Sequence, residues 1–151
     1  MRVLLAVMWM ALLSACAPEP KPAELPRPDP TTEAWYPQAI GELVEMNRQA
    51  EDLFQKGKFE EAATLVGKGQ PLEERLLGAP RPTLAAMEAS SDLDDLYGRM
   101  LMRNRHYSWA RSFFQKNAIR WKVWKPQTAE TERRRQTALA AIAECDKHPV
   151  E

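Results

Sequence analysis

Histidine and cysteine are the side chains most often recruited for catalysis and metal binding, and this chain of 151 residues has two of each. Neither pair is spaced for either task. His106 stands between Arg105 and Tyr107 in a predicted turn, where a local hydrogen bond is its expected role, and His148 falls in the polar tail. Cys16 and Cys145 lie 129 positions apart. The chain has no HExxH, no Ser/His/Asp grouping and no glycine loop able to cradle a phosphate. Acidic residues are plentiful, as at Glu60–Glu61, Glu73–Glu74 and Asp92–Asp94–Asp95. They are expected on solvated helix faces or near helix N-termini, where negative charge favours the dipole. Ser90, Ser91 and Asp92 read as helix caps. The expectation is a non-enzymatic protein with no cofactor and no metal site.

Charge and aromatic residues carry the stronger signal. Residues 33–98 hold thirteen acidic and six basic residues, whereas residues 99–135 hold two acidic and eleven basic ones. Within the basic half, Tyr107, Ala110, Phe114, Ala118 and Trp121 form a core stripe at helical spacing. A second stripe on the same helix reads Trp109, Phe113, Lys116, Arg120 and Trp124. Aromatic anchors flanked by cations are what interaction hot spots are made of, so these five residues are candidate contacts for a protein partner. The alternative is that the stripe packs under the last helix, with Lys and Arg stems covering apolar surface. A second candidate function uses Arg99, Arg103, Arg111, Arg120 and the run Arg133, Arg134 and Arg135 to hold an anionic polymer or lipid headgroups. The opposite charges of the two halves could instead pair within the chain or between copies.

The elements that would position these residues begin after a targeting segment. Arg2 and the free amine precede an uninterrupted apolar run from Val3 to Leu13. Eleven residues fall short of the about 20 a helix needs to span a bilayer, and suit the apolar region of a signal peptide. Leu13-Ser14-Ala15-Cys16 resembles the bacterial lipobox, a branched residue and two small ones before a cysteine. The resemblance implies cleavage before Cys16 and acylation of its thiol and new amine, hence a lipoprotein of the bacterial cell envelope. Two or three acyl chains anchor stably where one binds only marginally. Ala17, rather than Asp, follows the cysteine; by the same resemblance this favours the outer membrane, facing the periplasm, in a host with two membranes. Nucleic acid is then not an expected partner, despite the basic half.

Removing residues 1–15 leaves 136 residues and a net charge of about −1, enough for one small domain. A lipidated Cys16 leaves Cys145 without a disulfide partner in the chain. Ala138, Leu139, Ile142 and Cys145 share a helical face, so Cys145 is expected to be buried as a small apolar residue. Residues 16–32 form a proline-rich linker, with Pro18, Pro20, Pro22, Pro26, Pro28 and Pro30 excluding helix and sheet. At about 3.1 Å per residue, residues 17–30 reach roughly 40 Å as a spacer.

From there the pattern is helical over residues 33–147, with a tail at 148–151. Ala39, Leu43, Met46, Ala50 and Leu53 predict a helix ending near Gly57; Phe59, Ala62, Ala63 and Val66 predict a second. Gly67, Gly69 and Pro71 are expected to break the chain before a short helix over residues 72–77. Leu93, Leu96, Tyr97, Met100 and Leu101 mark a helix to about Asn104, and the stripe from Tyr107 marks the next. Pro126 is placed in the first turn of a last helix.

The stretch from Ala50 to Ala62 resembles the middle of a tetratricopeptide (TPR) repeat: a small residue in the first helix, a Gly–aromatic turn, and a small Ala in the second. The pattern returns 48 residues later, where Gly98, Leu101, Met102, Tyr107, Ala110 and Phe114 match Ala50, Leu53, Phe54, Phe59, Ala62 and Val66. The resemblance implies an all-α fold of antiparallel helical hairpins, TPR-like, with a C-terminal capping helix. The departures are a period longer than the family's about 34 residues, and Gly69 and Asn117 where a small Ala is usual. Proteins of this architecture bind partners, so a membrane-anchored adaptor contacting an envelope protein is the function it implies.

Overall fold

Residues 28–148 are described by a computed structural model, and Cys16 with the lipobox lies outside them. Apolar residues recur at spacings of three and four, and each stripe is buried against another helix. The helices are α1 (Trp35–Gln55), α2 (Phe59–Leu77), α3 (Leu84–Arg103), α4 (Tyr107–Val123) and α5 (Ala129–Cys145), preceded by a 3-10 turn at Pro30–Thr32. Among the described residues there is no strand. The fold is all-α, as the periodicity predicts: α1–α2 and α3–α4 are antiparallel hairpins, both α1 and α2 pack on α3, and α5 packs on α4.

The hairpins close through the same turn. At the end of α1 the Lys58 N–H donates to the Leu53 carbonyl at 2.9 Å and the Gly57 N–H to the Phe54 carbonyl at 3.1 Å. At the end of α3, 48 residues on, His106 donates to Leu101 and Arg105 to Met102, each at 2.9 Å. Both are Schellman motifs, which need a left-handed residue just past the helix. Gly57 supplies it at φ 76°, and Arg105 adopts it at φ 61° against the steric preference of an L side chain. The other recurrent feature is close approach. Ala50, Ala62 and Ala110 are buried, and a Cβ on Gly98 would stand 2.7 Å from the Phe114 ring.

One core joins Leu43, Val66, Leu76, Leu93 and Leu96 from the first three helices. A second, smaller one gathers Ala110, Phe114 and Cys145, with Leu101, Tyr107 and Ile142 against it. Cys145 is buried as expected, and burial pushes its thiol pKa up.

Three boundaries differ from the sequence expectation. Helix α2 runs unbroken through Gly67, Gly69 and Pro71, because its buried stripe Ala62, Val66, Gly69, Glu73 and Leu76 crosses them without interruption. Packing on one face outweighs the single donor that Pro71 lacks on the exposed side. Helix α3 starts at Leu84, capped by Thr83, whose hydroxyl accepts from the Ala86 N–H. Ser90, Ser91 and Asp92 therefore lie inside a helix rather than capping one. Helix α5 starts after Pro126, at a capping box formed by Thr128 and Thr131.

The strained turn gives a direct test. Arg105→Gly should raise stability by up to about 1 kcal/mol in urea unfolding, and Gly57→Ala should lower it by about 1 kcal/mol. Equal destabilisation by both would show that the second turn carries no strain.

Candidate partner-binding groove

Three buried charges and one half-exposed lysine meet between α2, α3 and α4. Glu73 on α2 and Asp94 on α3 have side chains 8% and 2% exposed, and they face Lys116 and Arg120 on α4. Lys116 Nζ lies 2.9 Å from Glu73 Oε1 and 3.0 Å from Asp94 Oδ1. Arg120 Nη2 lies 3.3 Å from Glu73 Oε1 and 2.9 Å from Asp94 Oδ2. The second of these is an ion pair whose N–H is not aimed at the oxygen, which leaves Asp94 Oδ2 without a hydrogen bond. The Asn117 amide donates to the Ser91 carbonyl, and the Trp121 indole to the Ser91 hydroxyl, both at 2.9 Å.

Burial, then the neighbouring Asp94, push the Glu73 carboxyl above its usual range, against the pull of Lys116 and Arg120. Burial would lower Lys116, but its hydrogen bond to Glu73 and the charge of Asp94 outweigh that and raise it.

This cluster corrects two expectations. Glu73 and Asp94 do not belong to a solvated face. Arg120 is 5% exposed at its side chain and is spent on the interior, so it offers no contact to a partner or an anion. The predicted stripe is consequently not a continuous surface. Trp109, at one end, is 69% exposed. Phe113 is half-buried and meets Tyr97 edge-to-face at 4.8 Å. Lys116 points at the carboxylates, and Trp124 is half-buried at the C-cap of α4.

One helical turn from the cluster, each of the three helices supplies a wall of a groove. Gln70 precedes Glu73 by three residues on α2, Tyr97 follows Asp94 by three on α3, and Phe113 precedes Lys116 by three on α4. With Leu101, His106 and Trp109 they line an open cavity of about 450 Å³. That falls in the usual size range of ligand sites, roughly 300–1,000 Å³. The Gln70 amide, the His106 ring and the Trp109 indole have no hydrogen-bond partner among the described residues. The expected local bond of His106 is made by its backbone, and its imidazole faces the groove. Sequence periodicity singled out Trp109 and Phe113 but missed Gln70, Tyr97 and Leu101, which belong to other helices.

The arginines proposed for an anionic ligand are engaged elsewhere. Arg99 pairs with Glu51 and Asp95, Arg111 with Asp146, and Arg133 with Glu130. Arg134 bridges Asp92 and Glu130, and Arg135 pairs with Glu132. The Arg103 guanidinium covers the Phe59 ring at 3.5 Å. Much of the opposition between the acidic and basic halves is thus resolved within the chain. Among the described residues no group of His, Cys, Asp and Glu is arranged to hold a metal ion, and no helix is long and apolar enough to cross a membrane.

Fold and site together define an all-α protein of stacked helical hairpins with an aromatic groove. No protein-family model matches the chain, and neither curated proteins nor solved structures show a match.

The cluster predicts a pH dependence. Glu73 holds its proton more tightly folded than at its ordinary value of 4.5. Between those two values the folded state binds more protons than the unfolded one, so this group's contribution to stability falls as pH rises through them. Glu73→Gln removes that slope. Measured by urea unfolding, the variant should gain on the wild type from pH 4 to pH 7, and a constant difference would refute the raised pKa.

Proposed function

We propose that this chain is a lipid-anchored, non-enzymatic adaptor of the bacterial cell envelope that binds a protein partner in the groove lined by Tyr97, Trp109 and Phe113. The observation that carries the proposal is the 69% exposure of Trp109 at the rim of an aromatic cavity. Leaving an indole in water forgoes the largest apolar burial a side chain offers, and Trp heads the residues that dominate interfaces. The helical hairpins with their repeated turn support a TPR-like reading, and such hairpin scaffolds present side chains to partners. Lipidation at Cys16, with residues 17–30 as spacer, would hold the groove away from the headgroups. Ala17 favours the outer membrane in a host with two.

A polyanion or headgroup ligand is the second reading. It would draw on Lys122, Lys125 and Arg105, which are exposed and make no ion pair among the described residues. Salt separates the two, because exposed charges are screened beyond about 8 Å at 0.15 M.

Two measurements test the proposal. Residues 28–151, used as bait on detergent-solubilised envelope, should retain a discrete protein at high salt and lose it on Trp109→Ala. Capture of polymer or lipid alone, released by salt, would transfer the function to the lysines. Cys16→Ser in the full chain should abolish incorporation of labelled palmitate and release the protein from the membrane pellet; an unlabelled wild type would remove the anchor.

A further inference from the structure

At the three-residue period of polyproline II, residues 20–28 resolve into three faces. Pro20, Ala23 and Pro26 fall on one, and Pro22, Leu25 and Pro28 on the next. Lys21, Glu24 and Arg27 fall on the third, so every charge in this stretch is on one side. A spacer surrounded by water gains nothing from such segregation. A polyproline II helix apolar over two faces of three has the form that aromatic-lined grooves recognise. In that conformation backbone carbonyls would have no internal partners, and the exposed side chains of Gln70, His106 and Trp109 offer donors along the groove.

We infer that the groove takes the polyproline II segment around residues 20–26 of a second copy of this chain. The inference rests on the proposed function in placing the binding site at the Trp109 groove, and it names a partner for that site.

The geometry favours a second copy over the chain's own segment. The Tyr36 hydroxyl bonds the Leu76 carbonyl at 3.2 Å and the Thr83 N–H at 3.3 Å, so the chain enters at the α2–α3 end of the molecule. Asp29 still feels the charge of Arg81 at that end. Tyr97 and Leu101 lie 14 and 18 residues beyond Thr83 on α3, or roughly 20–27 Å at 1.5 Å per residue. At about 3.1 Å per residue, the chain's own segment needs about seven to nine residues before Pro28 to cover that distance. Most of the amphipathic stretch would be used in transit. A second molecule's segment has no such restriction, and two copies exchanging segments would close a symmetric dimer.

The soluble chain 17–151 should dimerise with concentration in sedimentation equilibrium, while 28–151 stays monomeric. A peptide of residues 17–30 should bind 28–151 one to one. Trp109→Ala should weaken it at least tenfold, and the exposure of Trp109 leaves the fold intact in that variant. On the peptide, Leu25→Glu should abolish binding and Lys21→Ala should leave it unchanged, since only the first alters an apolar face. A monomeric 17–151, a peptide that fails to bind at millimolar concentration, or equal effects of the two peptide changes would overturn the inference. Retention of an envelope protein without peptide binding would leave the adaptor standing and remove this partner. Peptide binding with no envelope protein retained would do the reverse.

Discussion

Two buried carboxylates are held by one buried cation, Arg120, and by Lys116, which reaches them from the half-exposed edge, and the arrangement of three helices follows from keeping them together. Taking a charge out of water costs several kcal/mol, recovered only when partners and hydrogen bonds are in place. Glu73 on α2 and Asp94 on α3 would be two buried negative charges side by side without α4. Lys116 and Arg120 neutralise them only when α4 lies at one rotation and one height along α2 and α3. The apolar stripe Ala110, Phe114, Ala118 and Trp121 drives α4 onto the core but tolerates small slips. The charges, with Asn117 and Trp121 both bonded to Ser91, are far less tolerant.

The groove is a consequence of that placement. Its walls come from residues one turn away from the four charges on the same three helices, so the spacing set by the cluster is passed directly to Gln70, Tyr97 and Phe113. Apart from His106, at the N-cap of α4, every residue lining the groove is held on a helix.

Repetition accounts for the outer frame. Two Schellman turns 48 residues apart impose the same reversal on α1–α2 and α3–α4. Small buried residues recur in both hairpins, Ala50 and Ala62 in the first and Gly98 and Ala110 in the second, and Gly98 lies directly against the Phe114 ring. The second hairpin accepts a strained Arg105 where the first has Gly57, and a larger Phe114 where the first has Val66. Gly98 makes room for that ring, so the two substitutions in the repeat compensate each other.

Helix content, hairpin turns and the core stripes were legible in the sequence because they depend on spacing within one element and on single residues such as Gly57. Burial of Cys145 followed from the same periodicity. The course of α2 through Pro71 was not legible, since local breakers indicate a stop and only the neighbouring helices reveal an unbroken buried face. Nor was the fate of the charges. Glu73 sits beside Glu74 in the sequence like any solvated acid, and Arg120 sits beside Trp121 like any cation flanking an anchor. Which of them points inward depends on helices 22 to 47 residues away. The sequence by itself therefore determined an all-α hairpin protein with aromatic residues to spare. Only tertiary structure decided that Arg120 is structural while Trp109 is free, because burial belongs to the packed assembly of helices rather than to any one of them.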